Sequence, residues 1–157
     1  PSCSIARRAW SMTGSVAAVS LASSAGHVFD HIALLQPTSP LRRDGMVDRA
    51  FAQLRADGAD SLLSVTESHA FFWRKHPVRA GYNYRNRPRR QDIPSSDRQF
   101  RETGSLYLTA RDVLVRERNR LGGSITLFET SEEEGFEIDS LADFRLLESL
   151  MPEAVPA

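Results

Sequence analysis

Leu34-Leu35-Gln36-Pro37-Thr38-Ser39-Pro40-Leu41-Arg42 is the stretch from which the fold is read. It closes an apolar run, Ile32-Ala33-Leu34-Leu35, and passes at once into a polar turn with two prolines. A short run that is apolar on both faces and stopped by turn chemistry is the pattern of a buried strand. Neither proline has an N–H to offer a ladder, so the strand ends at Gln36. The side chains just past it, from Gln36 to Arg42, are rich in hydrogen-bonding groups. Ligands of open α/β sheets sit beyond the carboxyl ends of strands, which makes this turn the first candidate for a site floor.

Working outward, residues 28–36 read as the opening strand. Residues 44–57 read as an amphipathic helix, with Asp44 as N-cap candidate and Met46, Val47, Ala50, Phe51 and Leu54 at helical spacing. Asp57-Gly58 ends it, and Ser61-Leu62-Leu63-Ser64-Val65-Thr66 follows as a second strand. Strand, helix, strand is a βαβ unit, which predicts a parallel, right-handed crossover. Phe71, Phe72, Trp73, Tyr82 and Tyr84 around Pro77 and Gly81 then predict a two-stranded excursion from the sheet. An irregular loop over 85–101 carries six arginines. Gly104 to Leu108 is a third strand, Thr109 caps a helix through Val113 to Val115, and Ser124 to Phe128 is a fourth strand. Glu132-Glu133-Glu134 reads as a solvated loop, and residues 136–139 as a very short strand or turn. Ser140 caps a last helix with Leu141, Phe144, Leu147 and Leu150 on one face. The alternation predicts an α/β fold. Before the opening strand, residues 17–22 are compatible with a helix capped by Ser11 or Thr13.

The 157 residues are 41% hydrophobic and 25% charged, the composition of one soluble globular domain. There is no apolar run long enough for a membrane-spanning helix. Arg7-Arg8 is followed by small and apolar residues broken by Ser and Gly, so no export signal is read there. The single cysteine, Cys3, cannot form an internal disulfide, and a reducing cytoplasm is the expected location. The net charge of zero hides a segregation: residues 69–120 carry thirteen Lys/Arg against five Asp/Glu, and residues 121–157 one against nine. Such a division fits an anionic ligand beside the basic segment and a cation beside the acidic one, or two segments that neutralise each other.

Several residues are candidates for chemistry. Gly104 at the mouth of its strand fits either close approach of a ligand or a simple bulge. Glu137-Ile138-Asp139 places two carboxylates at i and i+2, on one side of an extended chain, where they suit Mg²⁺ or merely precede a helix. The Arg-rich loop with Tyr82, Tyr84 and Phe100 suits a carboxylate or phosphate, a nucleic acid, or solvent alone. His69 ends a strand and is the histidine best placed for a site. His27 and His31 are at helix-face spacing, but no third metal ligand accompanies them.

Taken together, these segments resemble the acylneuraminate cytidylyltransferases, the CMP-sialic acid synthetases. The likeness rests on Leu34 to Arg42, then Arg89-Arg90-Gln91-x-x-Pro94, then Phe100-Arg101-x-x-Gly104-Ser105-Leu106-Tyr107, then Glu137-Ile138-Asp139. It covers about residues 28–150; residues 1–26 match poorly. It implies a three-layer, nucleotide-diphospho-sugar transferase-like (Rossmann-like), mostly parallel sheet in a single partial domain, 1–157. It implies transfer of CMP from CTP to a nine-carbon 2-keto sugar acid of the sialic, legionaminic or pseudaminic type, with release of pyrophosphate and Mg²⁺ as cofactor. By the same likeness Gln36 and Ser39 line the floor, and Arg42, His69 and Gly104 lie on the substrate side. Arg90, Gln91, Phe100 and Tyr107 approach the sugar acid, while Asp139, with Glu137, holds the metal; Gln36, Arg90 and Asp139 are the catalytic set. Residues 69–101 form the dimerisation and lid excursion, so a homodimer is expected, and neither membrane nor nucleic acid is expected as a partner.

The sequence departs from the family at three places. Glu137 stands where an Asp is usual, and Thr103 where an Asn is usual. Residues 1–26 contain Gly14 and Gly26 but no glycine-rich loop ending in basic residues to cradle the CTP phosphates. The implied chain is the C-terminal two-thirds of such an enzyme, inactive or severely impaired by itself. The alternative is a non-catalytic remnant that dimerises or binds the sugar acid.

Overall fold

The computed structural model describes residues 29–151, together with Ser24 and Gly26. The readings that fall on Cys3, on the helix at 17–22 and on His27 lie outside the described residues. A four-stranded sheet forms the centre, built from β1 (His31–Leu35), β2 (Ser61–Ser68), β5 (Gln99–Ala110) and β6 (Ile125–Glu129), in the order β1-β5-β2-β6. β5 runs antiparallel to both β1 and β2, and β2 pairs with β6 in parallel. Thus β1, β2 and β6 point one way and β5 the other. The sheet is mixed, where the sequence predicts one that is mostly parallel. The two strands of the expected βαβ unit do share a direction, but β5 lies between them. Local sequence cannot announce this, because a strand inserted from far along the chain leaves no mark on the unit it separates.

α1 (Met46–Ala56) lays Met46, Ala50 and Leu54 on one face of the sheet, against Leu62, Leu106, Leu108 and Phe128. The opposite face holds Leu63, Val65 and Tyr107, with Leu34, Phe100 and Leu121 against them. Neighbours along each strand alternate between these two layers, which is why the central strands read as continuously apolar. α1 starts on Gly45, at φ 69° and without a side-chain cap, and Asp44 contributes only its carbonyl, to Arg49 Nη1 at 2.7 Å. α2 (Arg111–Glu117) starts on Ala110; Thr109, expected to cap it, donates its hydroxyl to the Arg120 carbonyl at 2.5 Å. α3 (Leu141–Leu150) begins as predicted, with Ser140 and Asp143 forming a reciprocal capping box. Of the four residues expected on its apolar face only Leu147 is buried; Leu141, Phe144 and Leu150 are exposed.

The excursion consists of β3 (Trp73–Arg74) and β4 (Arg79–Ala80), a two-stranded pair as the sequence predicts. Beyond it the arginine-rich loop folds into three single 3₁₀ turns, at Tyr84–Asn86, Arg90–Asp92 and Ser95–Asp97. No described helix is long and apolar enough to cross a membrane.

Candidate active site

The carboxyl ends of β1, β2 and β6 lie on one edge of the sheet, and β5 enters from that edge. Gln36 follows β1, His69 follows β2, and residues 130–139 follow β6. Sequence-distant polar residues therefore meet at the place where an open α/β sheet takes its ligands.

The centre of the edge is a bulge in β5. Leu63 faces Tyr107 and Val65 faces Glu102, so Ser64 alone stands opposite Thr103 to Leu106. The Ser64 hydroxyl accepts from Leu106 N at 2.9 Å and from Thr103 Oγ1 at 2.8 Å, filling the gap in the ladder. Gly104 sits in this bulge at φ 63°, and a Cβ there would collide with the side-chain oxygens of both Gln36 and Glu137. The bulge reading of Gly104 holds, and the close approach there is made by the chain's own Gln36 and Glu137 side chains. Among the described residues, neither the Gln36 amide nor the Glu137 carboxylate makes a side-chain hydrogen bond, and an oxygen of each lies against Gly104.

The acidic segment crosses above the Gln36 turn, held by Ile138 N donating to the Thr38 carbonyl at 2.8 Å. The Glu137 carboxyl is pushed above its ordinary range, first by burial and then by the negative charge of Asp139. Arg101 opposes this shift, and Glu102 adds to it. The two carboxylates expected to share a cation are thus electrostatically coupled, and no group of three or more His, Cys, Asp or Glu joins them among the described residues.

Three of the expected substrate residues have structural partners here. Ser39 is fully buried and donates its hydroxyl to the Thr103 carbonyl at 3.2 Å. Arg42 turns inward, from Nε to Ser105 Oγ at 3.1 Å and from Nη2 to the Gln36 carbonyl. Its partial burial lowers its pKa. Tyr107 is 1% exposed, and its hydroxyl donates to Glu102. Arg120 covers its ring at 4.0 Å, and burial followed by the Glu102 bond raises its phenol pKa. Ser39 and Tyr107 are thus buried against the backbone and Glu102, while Arg42 stays partly exposed. Phe100 packs onto the Leu63–Val65–Tyr107 layer.

His69, Arg90 and Gln91 lie elsewhere on the same edge. They line a cavity of about 970 Å³ beneath the excursion, together with Glu67, Phe71 and Tyr82. Arg87 stacks on Phe71 at 4.3 Å, and Phe71 meets Tyr82 at 4.5 Å, so aromatic contacts brace this wall. The residues lining the cavity do not include Gln36, Gly104, Glu137 or Asp139. The cavity thus gathers His69, Arg90 and Gln91, while Gln36, Gly104 and Glu137 meet at the β5 bulge.

Sequence reasoning missed Glu102, Arg120, Ser64 and Glu134. Only Glu134 carried a signal, because Ser131-x-x-Glu134 has capping-box spacing.

The comparisons agree in kind with the motifs. The chain is similar to N-acylneuraminate cytidylyltransferase B of Danio rerio, with 29% identity over 126 residues. The match takes in 76% of this chain and 29% of the relative, so the chain spans less than a third of that protein's length. No family model matches it.

Proposed function

We propose that the described residues form the sugar-acid and metal side of a cytidylyltransferase site acting on a nine-carbon 2-keto sugar acid. The observation that carries this reading is the convergence of Gln36, Gly104 and Glu137 at the carboxyl edge of the sheet. In the proposed reaction the anomeric hydroxyl oxygen bonds to the α-phosphorus of CTP, and the bond from that phosphorus to pyrophosphate breaks. The Gln36 amide orients the sugar, and Arg90 pairs its guanidinium with the sugar carboxylate in a planar, two-point contact. Gln91 and His69 add hydrogen bonds to neighbouring groups.

Glu137 and Asp139 offer hard carboxylate oxygens and suit Mg²⁺, which takes one or two protein carboxylates and completes its shell with water and phosphate oxygens. After burial, repulsion from Asp139 raises the Glu137 pKa, and a cation between the two would relieve that repulsion. Mg²⁺ held there would neutralise charge on the departing pyrophosphate. A second copy of the chain is the proposed partner, docking on the exposed aromatics Phe72, Trp73 and Tyr84.

Because residues 1–26 hold no glycine-basic cluster, turnover by this chain alone is expected to be severely impaired. A pyrophosphate-release assay with CTP, Mg²⁺ and each of several nine-carbon sugar acids tests the reading. Release that depends on both the sugar acid and Gln36 supports it, and turnover at an unimpaired rate would sink the impairment claim. A cavity lined by His69, Arg90 and Gln91 but not by Glu137 or Asp139 favours a second reading, a sugar-acid-binding remnant without nucleotide chemistry. Calorimetric binding of sialic acid that is indifferent to CTP and Mg²⁺, with no pyrophosphate released, selects it.

A further inference from the structure

The segment that carries Glu137 and Asp139 belongs to no sheet, so something other than a ladder must hold it. Its C-terminal side is held by the Ser140–Asp143 capping box, in which Asp143 Oδ2 also accepts from Asp139 N at 3.2 Å. Its N-terminal side is held by a buried carboxylate. Glu134 is 6% exposed, although it closes a run of three glutamates. Its Oε1 accepts from Arg43 N at 3.2 Å. Its Oε2 accepts from Ser131 N and from Ser131 Oγ, each at 3.1 Å. The Arg43 guanidinium lies 3.7 Å away and is mostly exposed, so the charge pair adds little.

These bonds link two loops that are far apart in sequence. One descends from the Gln36 turn through Arg43; the other leads from β6 into Glu137. The adjoining Gly135 fixes the distance between the second loop and the sheet. Its carbonyl accepts from Arg101 Nη2 at 2.8 Å, and a Cβ on it would meet Arg101 Nη2, Thr66 and Thr103 at 3.1–3.2 Å.

We propose that Glu134 is a positioning residue, whose carboxylate bridges the Arg43 backbone and Ser131 and so sets where Glu137 and Asp139 stand over Gln36 and Gly104. A carboxylate is required by the donor count. Three N–H or O–H groups converge on it, and an amide side chain would turn its own NH₂ against one of them. The geometry stands by itself; only its consequence for catalysis rests on the function proposed above.

Amide hydrogen exchange on the full chain, wild type against Glu134→Gln and Glu134→Ala, tests the assignment. Exchange at Ile138 N–H is expected to accelerate about tenfold or more in both variants, while the amides of Leu62, Leu106 and Leu108 keep their protection. The NOE from the Gly104 α-protons to the Glu137 side chain is expected to weaken in parallel. Unchanged Ile138 exchange overturns the proposal. So does acceleration in step with the three core amides, or loss of a folded spectrum in both variants, because either makes Glu134 a general structural residue. Mn²⁺ added to the wild type tests the metal reading separately: absence of paramagnetic broadening at Glu137 and Asp139 would sink that reading and leave the exchange result intact.

Discussion

The side-chain oxygens of Gln36 and Glu137, separated by a hundred residues of chain, approach the Cα of Gly104 so closely that no side chain fits between them. Gly104 is thus the point where the end of β1, the bulge of β5 and the segment after β6 are brought into register. Gly104→Ala would combine a left-handed φ with two collisions. It is expected to destabilise the fold by roughly 1–3 kcal/mol, read as a lower urea midpoint. An unchanged midpoint would contradict the close approach.

Glu137 makes a prediction about pH. Its folded pKa is raised, so the native state holds the proton more tightly than the unfolded chain does. Its contribution is therefore fully present below the unfolded pKa and is lost as pH rises through the folded value. Glu137→Gln removes that loss. Thermal unfolding should show the variant more stable than wild type at neutral pH, with the gap closing as the pH falls into the range where Glu137 is protonated. A gap that widens on acidification would mean that the shift has the opposite sign.

Tyr107 should not ionise where a free tyrosine does, at about 10, because burial and its bond to Glu102 both favour the neutral phenol. The ¹³Cζ resonance of Tyr107, followed to high pH, is expected to stay in its protonated position until the protein unfolds. Tyr107→Phe removes the donor to Glu102 and should cost about 0.5–1.5 kcal/mol.

Arg90 separates the cavity from the acidic group by experiment. If the sugar carboxylate pairs with it, Arg90→Ala should weaken sialic acid binding by about 1.5–3 kcal/mol, and Arg90→Lys should restore only part of that. Equal affinity for all three proteins in calorimetry would place the sugar acid elsewhere.

The excursion presents Trp73 at 53% and Tyr84 at 56% exposure, with their rings 5.7 Å apart. If these aromatics receive a second copy, Trp73→Ala with Tyr84→Ala should weaken the dimer by about 2 kcal/mol or more, visible in sedimentation equilibrium. A wild-type chain that sediments as a monomer at every concentration would remove the dimer from the proposal.

Much of the candidate site was legible because turn chemistry is local. The two prolines after Leu35 announced the end of β1, and Ser140 announced the start of α3. Gly104 stood out as a glycine at the mouth of a strand, although it lies in a bulge inside the longer β5. The roles of Ser39, Arg42 and Tyr107 were less legible, since a polar side chain beside a candidate site looks the same whether it faces the ligand or the backbone. Only the carbonyls of Thr103 and Gln36 and the carboxylate of Glu102 decide which way they turn.

By itself, the sequence determined the α/β class, the end of β1 and the residue types gathered there, because hydrophobic periodicity and backbone stereochemistry act over a few residues. The tertiary structure alone decided that β5 runs antiparallel between β1 and β2. It also decided that Glu134 is buried, and that His69, Arg90 and Gln91 line one cavity whose wall includes neither Gln36 nor Glu137. These depend on pairings between distant segments, whose burial and hydrogen bonds exist only once the whole sheet has assembled.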